Sequence, residues 1–236
     1  MNNNGFLNVA RDAFKEYLES SARSTKKLYV LHGAIANDLN TRLNDSSLYS
    51  ICSLGFGDDK EGHIEGRYVD KRVDITVLGA DGNPIAGIAV KYVMSNYKQN
   101  ATNYFENMLG ETANIRSANI PYYQLFIIPE KLPYFKADGT IGHWEYFNKE
   151  NMKKYLLLSK DNPIQYQHTP DKTLVAVLDF IPEAVEVYTK SEYKEFYLKH
   201  DFKAVFNQGS YAFSKGVIFN DYDKFMEKVV HAIKSI

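Results

Sequence analysis

Two opposite charges stand inside apolar runs in the stretch "VDITVLGADGNPIAGIAVKYV": Asp74 opens the first run and Lys91 closes the second. Their neighbours Val73, Ile75, Val77, Ile88, Val90 and Tyr92 read as packed strand. Burying a carboxylate and an ammonium is costly unless they pair or serve a metal ion or an anionic substrate. "GADGNP" is the strongest turn signal in the chain, so the two runs form a hairpin. With residues 81–84 as the loop, Asp74 falls opposite Lys91; with a two-residue loop at Asp81-Gly82, it falls opposite Ala89 and Lys91 becomes a diagonal neighbour. In both registers the charges share a face. The plain structural alternative is an ion pair at a sheet edge.

The surrounding pattern supplies the elements that must position this pair. Phe6, Ala10 and Phe14 at helical spacing predict a helix over 5–22, and the same period resumes over 24–43. "SLYSICSLGF" reads as a strand, "GDDKEGHIEG" as a polar turn and "RYVDKRVDITVL" as one long strand. After the hairpin, residues 98–117 read as a helix ended by Pro121, and "PYYQLFIIP" as an interior strand. "EKLPYFKADGTIGHW" reads as a loop or excursion, "YFNKENMKKYLLLSK" as a helix and "KTLVAVLDFI" as a second interior strand. The segment 183–219 has no clean period, and "NDYDKFMEKVVHAIKSI" closes the chain as an amphipathic helix capped by Asn220 or Asp221. The expected organisation is α/β, with a central mixed β-sheet flanked by helices.

An Asp ending one strand, a Lys on the next, then a helix and an interior strand resembles the core of the PD-(D/E)xK nuclease superfamily, which includes many type II restriction endonucleases. The resemblance spans about residues 24 to 130. The family places an acid two positions before the lysine; here that position is Ala89. A subgroup with a permuted motif carries that acid on the following helix instead. Glu106, with 14 residues between it and Lys91, is the first candidate for it, and Glu111 the runner-up. A further acid often comes from the helix before the sheet, which points to Asp38, with Glu65 and Asp70 as alternatives.

The resemblance implies a restriction-endonuclease-like core and Mg²⁺-dependent hydrolysis of phosphodiester bonds in double-stranded DNA. Asp74, Lys91 and Glu106 would be catalytic, and Asp74, Glu106, the backbone carbonyl of Ala89 and Asp38 would hold the ion. A homodimer would cut both strands. Ser95, Asn96, Tyr97, Lys98 and Gln99, at the start of the crossover helix, could meet phosphate or base edges, as could Arg67, Lys71 and Arg72. The chain reads as a single nuclease-like domain over 1–236, with a core at about 24–180 and a C-terminal elaboration over 181–236 for recognition or dimerisation. The alternative is a nuclease-fold module that binds nucleic acid or protein without catalysis, since Ala89 lacks the usual carboxylate.

Composition bounds these readings. A net charge of -1 means that an anionic partner must be held by a local basic patch, which argues against non-specific DNA coating. Cys52 stands alone, which excludes a disulfide framework and a thiolate zinc cluster and fits a reducing compartment. The start "MNNNGFLNVARDAFKEYL" has no continuous apolar stretch, so a soluble, cytoplasmic protein is expected. The six histidines show no metal-binding spacing, and no HExxH, GxSxG or phosphate-loop motif occurs.

Overall fold

A computed structural model describes residues 1–20 and 24–236. Helices α1 (Asn3–Glu19) and α2 (Lys26–Leu43) open the chain. The Asn2 side chain caps α1 by accepting from the Gly5 N–H at 3.0 Å. That helix ends at Glu19, short of the expected 22, and residues 21 and 22 lie outside the described residues. There follow β1 (Ser50–Ser53), β2 (Gly62–Glu65), β3 (Asp70–Val73), β4 (Ile75–Leu78), β5 (Pro84–Tyr92), α3 (Tyr97–Arg116) and β6 (Tyr122–Pro129). The second half comprises β7 (Lys131–Phe135), β8 (Ile141–Tyr146), α4 (Lys149–Leu158), β9 (Lys172–Ile181), α5 (Lys190–Lys199), β10 (Lys203–Phe206), β11 (Val217–Phe219) and α6 (Tyr222–Ile233). Among these residues no helix is long and apolar enough to cross a membrane.

The fold is α/β, with a curled mixed central sheet flanked by helices. Six strands run in the order β1-β4-β5-β6-β9-β10, and β11 adds to β9 in parallel. The β1, β4 and β5 strands are antiparallel, whereas β5, β6 and β9 are mutually parallel. A parallel neighbour requires a crossover, and α3 supplies it between β5 and β6. Every residue of β6 is buried because both faces are covered. Leu125 and Ile127 meet the core that includes α1, α2 and α6, while Phe126 and Ile128 pack with Met108 of α3 and Met152 of α4.

Three segments differ from expectation. The stretch read as one strand over 67–78 breaks at Asp74: β3 pairs with β2 in a small separate sheet, and β4 joins the main one. The polar turn over 57–66 contains β2, whose Gly62 and Ile64 are buried while His63 and Glu65 face outward. The expected loop over 130–144 holds β7 and the start of β8, folded as a hairpin across the turn at Gly139, whose φ of +84° suits glycine. The C-terminal segment is woven into the core. There β10 and β11 extend the sheet, and Phe225, Met226, Val229 and Ile233 of α6 pack in the cluster that holds Phe6 and Ile35. Asp221 is the residue that caps α6, accepting from the Lys224 N–H at 3.2 Å.

Candidate functional site

Asp74 occupies the bend between β3 and β4, where the chain leaves one sheet and enters the next. The Ser53 hydroxyl donates to its backbone carbonyl at 2.8 Å and fixes the bend. Ile75 faces Ile88 and Thr76 faces Gly87, which puts Asp74 level with Ala89, the second of the two registers considered. The turn itself is longer than two residues: the Gly79 N–H donates to the Asn83 carbonyl at 2.9 Å, and a bulge absorbs the extra residue. The Asp74 Oδ2 accepts from the Val90 N–H at 2.7 Å.

Asp74, Ala89, Lys91, Glu111 and Gln124 line one cleft of about 280 Å³, with Lys71 and Arg72 at its side. Burial pushes the Asp74 carboxyl up to about 6, helped by the Glu111 charge and opposed by the Val90 N–H, Lys91 and Lys71. Burial also lowers the Lys91 ammonium, against the pull of Asp74 and Glu111. The Lys91 Nζ lies 4.1 Å from the centre of the Tyr104 ring, a cation–π contact that holds the charge over the cleft. Glu111 pairs with Lys71 at 3.0 Å and accepts a hydrogen bond from the Tyr122 hydroxyl. Burial and then Glu111 hold the Tyr122 hydroxyl far above its ordinary range, so it stays a donor.

Of the two acids considered on the helix after Lys91, the structure brings the runner-up to the cleft. Glu106 is exposed on α3 and does not line the cleft, whereas Glu111 does. The five-residue step between them turns one outward when the other faces the sheet. Ala89 lines the cleft, and its partner in register on β6 is Gln124, whose amide is buried and lies 3.5 Å from the Thr112 hydroxyl. A polar group thus stands beside the position that lacks a carboxylate.

Asp38, a weaker candidate ligand, serves another purpose. It is buried among the Met1 amino group, Arg42 at 3.0 Å and the Tyr222 hydroxyl at 2.9 Å, and it ties α2 to α6. Glu65 and Asp70 face one another at the exposed end of the β2–β3 pair. The start of α3 also departs from expectation. The Lys98 N–H donates to the buried carboxylate of Glu145 at 3.2 Å, so the chain's own acid occupies part of that helix terminus. Tyr97 is core, Asn96 adopts a left-handed conformation at the helix cap, and Ser95 is half-buried. Lys98 and Gln99 are exposed. Arg67 is exposed in the loop before β3, and Arg72 reaches the cleft while donating to the His63 ring at 3.2 Å.

The structure brings to Asp74 two residues that sequence spacing did not. His32 of α2 sits with its Nδ1 3.9 Å from the Asp74 Oδ1, and Glu61, just before β2, completes a group whose ligand atoms lie within 4.8 Å of one another. Burial holds the His32 imidazolium down at about 4, so the ring is neutral at pH 7. Backbone contact draws these segments together. A Cβ on Gly33 would lie 2.4 Å from the Gly55 carbonyl oxygen, and one on Gly55 would lie 2.2 Å from that of Tyr29. Only two glycines permit α2 and the 54–61 loop to approach so closely.

No protein-family model, curated protein or solved structure matches the chain. The fold and the cleft themselves define an α/β protein with two carboxylates and three basic side chains gathered at one bend of a curled sheet.

Proposed function

We propose that this chain is a divalent-metal-dependent hydrolase of phosphodiester bonds in double-stranded DNA, with a restriction-endonuclease-like core and its active site in the Asp74 cleft. One observation carries the reading: Asp74, Lys91 and Glu111, from a bend, a strand and a helix and separated by 17 and 20 positions in sequence, line a single cleft with Lys71 and Arg72 beside them. Such a mixture of carboxylates and cations is what phosphoryl transfer requires. The sheet order, with three antiparallel strands followed by a crossover helix and a parallel strand, agrees with the same resemblance.

The donors fit a cation at Asp74, because Oδ2 takes the Val90 N–H and Oδ1 is turned toward His32. The ion, when bound, would polarise a phosphoryl oxygen and acidify a water; Mg²⁺ is the ion that the resemblance implies. Lys91 stabilises the charge that grows on the phosphate as the water oxygen bonds to phosphorus and the bond to the leaving sugar oxygen breaks, that oxygen taking a proton from solvent water to leave as a hydroxyl. Glu111, held by Lys71 and Tyr122, accepts the proton of the attacking water. Arg72 and Lys71 draw in the DNA backbone. A homodimer gives the two sites needed to cut both strands.

Plasmid and phage DNA incubated with Mg²⁺ or Mn²⁺ and either the wild-type chain or Lys91→Ala tests this reading. Cleavage by the wild type alone is expected, and equal activity in the two defeats it. A second reading, DNA binding without catalysis, is favoured by the Lys71–Glu111 pair at 3.0 Å, which already satisfies one of the two acids. It predicts a salt-dependent shift of DNA on a gel with no cleavage under any ion.

A further inference from the structure

We propose that His32, Glu61 and Asp74 form a binding site for a divalent first-row transition-metal ion, preferred over Mg²⁺. The use of that ion in catalysis rests on the hydrolase reading, whereas its binding does not.

Three residues from a helix, a loop and a bend each place one ligand atom within 4.8 Å of the other two. Two donors bonded at about 2.1 Å to one ion can be at most about 4.2 Å apart. The separation of 3.9 Å between the His32 Nδ1 and the Asp74 Oδ1 lies inside that limit, and the widest separation in the group, up to 4.8 Å, closes with a shift of at most about 0.6 Å. It is also too long for a hydrogen bond. His32 is only 1% exposed, yet among the described residues neither ring nitrogen has a hydrogen-bond partner. Buried polar atoms are nearly always satisfied, and a cation shared with the two neighbouring carboxylates would satisfy this imidazole. Acidic clusters alone are common at surfaces; the buried, unpartnered imidazole distinguishes this one.

The donor set also selects the ion. Mg²⁺ prefers an all-oxygen octahedron, whereas an imidazole nitrogen suits Fe²⁺, Ni²⁺ or Zn²⁺, and Co²⁺ lies between the first two in the affinity order. The site is preorganised, since the contact of Gly33 with Gly55 holds the loop leading to Glu61 against the helix that carries His32.

The test strips the full chain with chelator and titrates it with CoCl₂ or MgCl₂. Calorimetry and the visible absorption of bound Co²⁺ are the readouts. One equivalent of Co²⁺ is expected to bind at least about tenfold more tightly than Mg²⁺, and His32→Ala and Glu61→Gln are each expected to weaken Co²⁺ by at least about tenfold. Glu61→Gln alters a half-buried loop residue, so it keeps the test decisive should His32→Ala fail to fold. The proposal is overturned by equal affinity for the two ions, by no stoichiometric Co²⁺ uptake, or by unchanged binding in folded Glu61→Gln. Co²⁺ binding without DNA cleavage leaves this site standing and removes the hydrolase reading; cleavage without selective Co²⁺ binding does the reverse.

Discussion

Glu111→Gln should separate stability from activity. The Glu111 carboxylate is 21% exposed and its partner Lys71 is 41% exposed, so solvent screens their 3.0 Å pair. Partly exposed pairs contribute about 1 kcal/mol or less. The buried Tyr122 hydroxyl, which donates to Glu111, keeps an acceptor in the glutamine carbonyl, so no buried donor is orphaned. The expected cost is therefore about 1 kcal/mol, or a Tm lower by about 2–4 °C for a domain of this size. On the hydrolase proposal, in which Glu111 is the general base, its loss should slow DNA cleavage by about 10²- to 10⁴-fold, an effect of roughly 3–5 kcal/mol on the barrier. Glu106→Gln, on the exposed side of the same helix, should leave both melting and cleavage unchanged. Initial rates of plasmid nicking beside thermal melts of the three proteins measure both quantities. Normal nicking by Glu111→Gln together with its loss in Glu106→Gln would refute the assignment of Glu111 and the geometric argument behind it.

Other substitutions probe how the site is held. Asp38→Asn breaks the buried cluster with Met1, Arg42 and Tyr222, and should cost about 3–5 kcal/mol in urea unfolding while leaving Co²⁺ affinity intact. Lost metal binding with unchanged stability would make Asp38 a ligand after all. Gly33→Ala sets a methyl 2.4 Å from the Gly55 carbonyl, so α2 and the loop must part. A cost of about 1–3 kcal/mol is expected, together with weaker Co²⁺ binding, and a neutral result would mean that the approach of α2 to this loop does not hold the metal site together.

Much of the frame was legible from local pattern. The apolar run at 121–129, broken only by Gln124, was readable as an interior strand because a strand covered on both faces shows no alternating polar side. The Asp81–Gly82 turn announced the hairpin, and alternation put Asp74 and Lys91 on one face. The β7–β8 hairpin escaped notice because Pro133 and a weak alternation mask its strands, although Asp138-Gly139 carried a turn signal. The break at Asp74 escaped for another reason. A strand that changes partners keeps its composition, so the bend appears only when β2 claims one half and β1 and β5 claim the other.

By itself the sequence determined that two opposite charges would share one face of a hairpin flanking the Asp81-Gly82 turn, followed by a helix and a buried strand, although Asp74 proves to sit at a bend between two strands. That much follows from the two-residue period of a strand and from turn chemistry, both local properties. Only the tertiary structure decided which acid joins them and what lies behind Asp74. The rotation of α3 against the sheet brings Glu111 inward and leaves Glu106 in solvent. The docking of α2 on the 54–61 loop brings His32 and Glu61 to Asp74 across separations of 42 and 13 residues. Those choices are set by how helices pack on a curled sheet, and one-dimensional spacing does not encode them.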